Sequence, residues 1–209
     1  MTRKEFDDKM LELRERLKGV ALEVCSMVLD ATEGAISDDK DLIAKVLENR
    51  KKVDEENESI MLYAFETIVL QAPVSKDARF LASILAISGE LRQAGVDAAK
   101  LAKRTKKIAG VFPPEHQAAL GALSESVVQM LTETIRLFDV YDEELASNII
   151  EYDSMIDSAY KKARNQIFVM ASENPVATQE LFWTIEIFHS LEHVADHAVE
   201  IARRMKQLN

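Results

Sequence analysis

Residues 191–204 read LEHVADHAVEIARR. Leu191, Ala195, Ala198 and Ile201 recur at steps of three and four, the period of a helix with one apolar face. Glu192 and Asp196 stand one turn apart, so on a helix they lie on the same face, one above the other. The same frame occurs earlier in the chain. Leu91, Ala98, Leu101, Ala102 and Arg104 recur as Leu191, Ala198, Ile201, Ala202 and Arg204, a displacement of 100 (191 − 91). A second set, Leu42, Val46, Leu47, Glu48 and Asp54, returns as Leu145, Ile149, Ile150, Glu151 and Asp157, displaced by 103 (157 − 54). Similarity at a near-constant displacement marks an internal repeat. The expected fold is all-α: two tandem three-helix bundles, residues 1–110 and 111–209, packed against each other.

Outward from that stretch, apolar periodicity predicts six helices. The first covers about residues 5–33 and ends near Gly34, with Ser37, Asp38 and Asp39 capping the next. The second runs over about 39–70, through Leu42, Val46, Val53, Ile60, Leu62, Phe65 and Ile68. Ala72-Pro73-Val74 breaks it, because proline has no N–H to continue the ladder. Ser75 is the expected cap of a third helix, about 76–108. The cations near its end (Lys100, Lys103, Arg104, Lys106, Lys107) suit the negative end of a helix dipole. Gly110 to Pro114 is the mid-chain break. The fourth helix is expected over about 114–140 and the fifth over about 143–171, followed by a connection at Asn174-Pro175. The sixth covers about 177–207, through Phe182, Ile185, Phe188 and the opening stretch.

Composition narrows the function. A formal net charge of −10 over 209 residues argues against binding nucleic acid or an anionic membrane surface. Six glycines and four prolines leave little room for turns, or for a phosphate cradle built from backbone N–H groups. No nucleophile elbow, P-loop or dinucleotide turn is present. The first ten residues, MTRKEFDDKM, hold no apolar signal core, and no run approaches the ~20 apolar residues that span a bilayer. A cytoplasmic location is expected. Cys25, the single cysteine, lies in VCSMVL and reads as a buried, unreactive thiol.

Chemistry concentrates in the second half. Asp153 and Asp157 repeat the spacing of Glu192 and Asp196. Four carboxylates from two facing helices either repel strongly or share a cation. An all-oxygen donor set suits hard or borderline ions such as iron, manganese or magnesium, whereas zinc is better served by histidine. His189 shares the face of Glu192 and Asp196; His193 and His197 lie one position over. Aligning the halves puts Arg50 at the place of Asp153, and Arg92 and Val96 at those of Glu192 and Asp196. Only Asp54 is retained. Arg50 and Arg92 are therefore expected to reach Asp54 and to supply the positive charge a metal would bring. Glu90 and Asp97 flank the lost positions and are expected to point elsewhere.

The tandem repeat, QAPVSKDAR at residues 71–79 and LEHVADHAVEIA at 191–202 together resemble the PhoU family of phosphate-signalling regulators. The last segment is similar to that family's L-E-R-I-G-D-H-A pattern. The resemblance covers nearly the whole chain and implies a non-enzymatic regulatory adaptor in phosphate transport or phosphate-starvation signalling. It also implies metal, mononuclear or clustered, on acidic pairs of the middle and last helix of a repeat. Here these are Asp153, Asp157, Glu192 and Asp196, for an iron, manganese, zinc or magnesium ion. Implied partners are the phosphate transporter's ATPase component, a sensor kinase or a sodium–phosphate symporter, with the chain itself a homodimer. Two alternatives stand beside this reading. One is a metal-free helical adaptor of another transporter. The other is a di-iron carboxylate oxidase, for which Glu186 and His189 supply one Glu-x-x-His pair and no other helix a second.

Overall fold

The computed structural model describes residues 3–71, 73–108, 112–173 and 178–208. They form six helices: α1 (Arg3–Ser37), α2 (Lys40–Gln71), α3 (Ser75–Thr105), α4 (Pro114–Asp139), α5 (Glu143–Glu173) and α6 (Thr178–Leu208). No strand occurs among the described residues. Ala72, Gly110 and Val111 of the mid-chain break, and the Asn174-Pro175 connection lie outside them. The 110/111 division also falls among the residues not described.

Within each half the three helices pack on one another: α1, α2 and α3 mutually, and α4, α5 and α6 likewise. Side-chain pairings give their directions. Glu12 meets Tyr63, Arg16 meets Glu56, and Asp30 meets Lys45, so α1 and α2 are antiparallel. Between the halves, α3 lies along α6 and α1 along α4. Arg104 bonds Glu186 and Ser190, while Glu90 bonds His197, so the equivalent helices α3 and α6 also run antiparallel. Antiparallel pairing of equivalent helices is what a local twofold relation between repeats produces.

Small residues allow this seam to close. Ala94, Ala98 and Ala102 on α3, and Ala195, Ala198 and Ala202 on α6, are fully buried among Leu91, Leu101, Leu191 and Ile201. At Gly95 an added Cβ would stand 3.2 Å from Val53 Cγ1, so α3 approaches α2 closely there. Polar bridges fill the remaining interior. The Thr32 hydroxyl bonds Ser124 at 3.0 Å between α1 and α4, and Ser88 bonds Asn57 at 2.6 Å between α3 and α2. Each satisfies a side chain that burial would otherwise penalise.

The 103-residue register reaches the helix caps. Asp39 Oδ1 accepts the N–H groups of Asp41 and Leu42 at 2.9 and 3.1 Å, and Asp142 Oδ1 accepts those of Glu144 and Leu145 at the same two distances. Several expectations are corrected. The first helix continues three residues past Gly34, where α2 comes so near that an added Cβ would meet Ile43 Cδ1 at 2.9 Å. Gly34 serves close packing, and the turn is made by Asp38 at φ 55°. Ser75 is the first residue of α3 and not its cap; extended Val74 holds that place. On α2 the inward column is Val46, Asn49, Val53, Asn57, Ile60, Ala64 and Thr67, so Leu62 and Phe65 face outward. Phe182 on α6 is likewise exposed. Cys25 is buried, and burial pushes its thiol pKa up to about 11, as an unreactive thiol requires.

Candidate functional site

Lys206 meets Ser147 and His189 meets Tyr160, so α5 and α6 are antiparallel, which brings Asp153 and Asp157 within electrostatic reach of Glu192 and Asp196. Desolvation raises the pKa of Asp153, and the charges of Asp196 and Asp157 raise it further. Glu192 is raised by desolvation and then by Asp196, against an opposing pull from His189. Partial desolvation also raises Asp196, offset by His193 and His197 and reinforced by Asp157. The four carboxylates thus sense one another, and the site holds more negative charge than its surroundings offset. Two oxygens make the same point locally. Asp153 Oδ1 and Glu192 Oε2 are buried and have no hydrogen-bond partner. Asp157 is the better neutralised acid, paired with Lys161 at 2.6 Å.

The histidines divide into two environments. His189 stacks on the Tyr160 ring with centroids 5.4 Å apart, and it lies 4.1 Å from the His193 ring. Glu192 Oε2 stands 3.7 Å from Nε2 of both His189 and His193. His197 faces the other repeat: Nδ1 meets Glu90 Oε2 at 2.8 Å and Nε2 meets Asp97 Oδ2 at 3.2 Å. Burial works to lower the His197 pKa, but these two carboxylates outweigh it and the net shift is upward. Burial likewise works to raise Asp97, and His197 and Lys100 bring it net downward.

Glu90 and Asp97 do point away from the lost first-repeat positions, as their helix phase requires. The sequence reading missed that they point at α6. Asp97 and His197 are equivalent residues, displaced by 100, and equivalent residues meet where a local twofold axis passes. That signal needed the antiparallel α3–α6 seam before it had meaning. Arg104 lies in the last turn of α3, as expected, and does more there. Instead of only facing the helix dipole it crosses the seam, donating to the Glu186 carbonyl at 2.8 Å and to its carboxylate at 2.5 Å.

In the first repeat the corresponding place is closed. Arg50 and Arg92 both pair with Asp54, the latter through Nε to Oδ1 at 2.7 Å. Two guanidinium groups on one carboxylate give a net positive cluster where the second repeat is negative. The residues present there do not fit a cation.

Comparison with known proteins follows the same division. The family model described as the PhoU domain matches residues 17–105 and again 120–205. The phosphate-specific transport system accessory protein PhoU homolog of Pseudomonas aeruginosa is 25% identical over 199 residues, covering 95% of this chain and 82% of that protein. PhoU homolog 1 of Thermotoga maritima is 24% identical, covering 97% and 91%. The crystal structure of PhoU from Pseudomonas aeruginosa superposes with a TM-score of 0.90 at 24% identity, over 97% of this chain and 98% of that one. That of the phosphate transport system regulatory protein PhoU from Streptococcus pneumoniae gives 0.89 at 22% identity, over 97% and 96%.

Proposed function

The chain belongs to the PhoU family, and from that premise we propose that it is a regulatory accessory protein of phosphate transport that works by docking and not by catalysis. The observation that carries this is the family match in both repeats, over a fold of which 97% superposes on each of two such proteins. The partners that suit the reading are cytoplasmic: the transporter's ATPase component, a sensor kinase, or a sodium–phosphate symporter. A homodimer is part of the proposal. No helix of the described residues is long and apolar enough to cross a membrane, so contact with a transporter would be peripheral.

We further assign a metal to the second repeat, held by Asp153, Asp157, Glu192 and Asp196. The donor set fits: oxygen ligands, raised pKa values, and two buried carboxylate oxygens without partners. A hard or borderline cation there would cancel the mutual repulsion and tie α5 to α6. The first repeat receives none, because Arg50 and Arg92 already answer Asp54.

That arginine solution supports a second reading, a metal-free adaptor of another transporter, since in the first repeat guanidinium groups take the place an ion would fill. The oxidase alternative loses support because Arg104 engages Glu186. The test of the regulatory reading is affinity capture from cells grown with and without phosphate. Recovery of phosphate-transport or kinase components is expected. Recovery of unrelated transporters instead would contradict it.

A further inference from the structure

Three donors on α6 differ in kind from the carboxylate set. His189, Glu192 and His193 offer ligand atoms that all lie within 4.8 Å of one another, the one such group of three among the described residues. In a tetrahedral zinc site, ligand atoms sit ~3.4 Å apart, given metal–ligand distances of ~2.0–2.1 Å. Rotamer adjustment of two partly exposed rings covers that difference. The four carboxylates are coupled through their charges but do not form such a group.

The orientation of the rings is more informative than their proximity. Each histidine turns Nε2 toward the same atom, Glu192 Oε2, at 3.7 Å. Each turns Nδ1 toward another carboxylate: His189 toward Glu186 Oε1 at 4.0 Å, and His193 toward Asp97 Oδ1 at 3.8 Å. A metal-bound imidazole characteristically hydrogen-bonds a carboxylate behind it, which fixes the tautomer and raises ligand basicity; these two carboxylates stand just beyond hydrogen-bond reach and would close by a rotamer adjustment when an ion binds. Asp97 is nearly fully buried and comes from the first repeat. Tyr160 of α5 stacks on His189 and holds its plane to within 16° of its own. The Glu192 oxygen at the centre is buried and makes no hydrogen bond, so it carries an unmet demand for positive charge between two imidazole rings.

We propose that His189, Glu192 and His193 form a binding site for a borderline divalent ion of the zinc type, distinct in preference from the all-carboxylate set. Two imidazole nitrogens and one carboxylate oxygen select zinc, cobalt or nickel over magnesium or manganese. Three protein ligands leave a coordination position open to solvent on the exposed side of the rings. The inference rests on the proposed second-repeat metal reading only in sharing Glu192. Through Asp97 and Glu186, which Arg104 holds, the site is braced on both repeats, so its occupancy would be coupled to the α3–α6 seam.

The experiment is calorimetric titration of chelator-stripped full-length protein with zinc, alongside imidazole 1H–15N NMR. Two variants are compared, His189→Gln/His193→Gln and Asp153→Asn/Asp157→Asn, both checked for helicity by circular dichroism. The expected result is zinc binding that shifts the His189 and His193 signals. It survives in the aspartate variant and is weakened more than ~100-fold in the histidine variant, beyond the loss that outer partners alone bring. Undiminished zinc affinity in the histidine variant would overturn the proposal while leaving the carboxylate reading intact. A folded aspartate variant whose histidine signals no longer respond to zinc would also overturn it, by making the histidines mere lining of the carboxylate site. Loss of manganese binding in the aspartate variant alone bears on the carboxylate reading and not on this one.

Discussion

Asp54 and Asp157 occupy equivalent places on equivalent helices, yet their surroundings carry opposite charge. Around Asp54 stand Arg50 and Arg92. Around Asp157 stand Asp153, Glu192 and Asp196, with Lys161 paired to it at 2.6 Å. The helices, the 103-residue register and the aspartate caps are shared. The fold therefore does not dictate the site. A crevice between the middle and last helix of a bundle can be neutralised internally by guanidinium groups, or it can be left negative and open to a cation.

The strongest way to sharpen that comparison is to remove or satisfy the second-repeat charge. An ion present at a hundred times its Kd should raise unfolding stability by about 2.7 kcal/mol. An Asp153→Asn/Asp157→Asn variant should lose that gain for manganese, read as a thermal shift with and without ion. Next comes the mirror experiment. Asp54→Ala strands two guanidinium groups, one of them largely buried, and should cost ~1–2 kcal/mol, between the surface and buried limits for ion pairs. Urea denaturation measures it, and no ion should rescue it. A smaller effect tests what the repeats share. Asp39→Ala and Asp142→Ala each remove a cap with the same geometry, and each should cost ~1 kcal/mol. Unequal losses would show that the repeats differ in more than their sites.

The mildest test is pH, on chelated protein. Asp153, Glu192 and Asp196 have folded pKa values above their unfolded ones. The folded state then holds protons more tightly, so their penalty is full above the raised values. It fades as pH falls through them toward the ordinary carboxylate range. His197 is also raised, and its contribution is present below about pH 6.5 and lost as pH rises through the folded value. Buried His116 is lowered by burial and works in the opposite sense, losing stability as pH falls below that same point. The parent should therefore gain stability on mild acidification relative to an Asp153→Asn/Glu192→Gln variant, measured by thermal denaturation from pH 7 to pH 5. Identical profiles would mean the carboxylates are adequately solvated.

Much of this was legible in the chain. Apolar periodicity located all six helices, and the paired displacements of 100 and 103 exposed the repeat before any contact was known. The Arg50–Asp54 pair was legible because it lies one helical turn apart, and Arg92 because it stands at the repeat-equivalent position of Glu192. Exposed apolar residues misled at Leu62, Phe65 and Phe182, where hydropathy cannot distinguish a core face from an outward one. The polar column Asn49, Asn57 and Thr67 took their places inside. The contacts of Glu90, Asp97 and Arg104 were illegible for a different reason. They cross between repeats, and only the antiparallel α3–α6 seam brings residues about 100 positions apart within hydrogen-bond reach.

The proposed metal would sit on the second repeat's uncompensated carboxylates and not at the first repeat's compensated one. The most direct test of that placement is metal content per chain by mass spectrometry, for protein purified without chelator. The parent is compared with Asp153→Asn/Asp157→Asn/Glu192→Gln and with Asp54→Asn. Bound metal is expected in the parent and in Asp54→Asn, with its loss from the triple variant. Metal retained by the triple variant, or none in the parent, would contradict that placement.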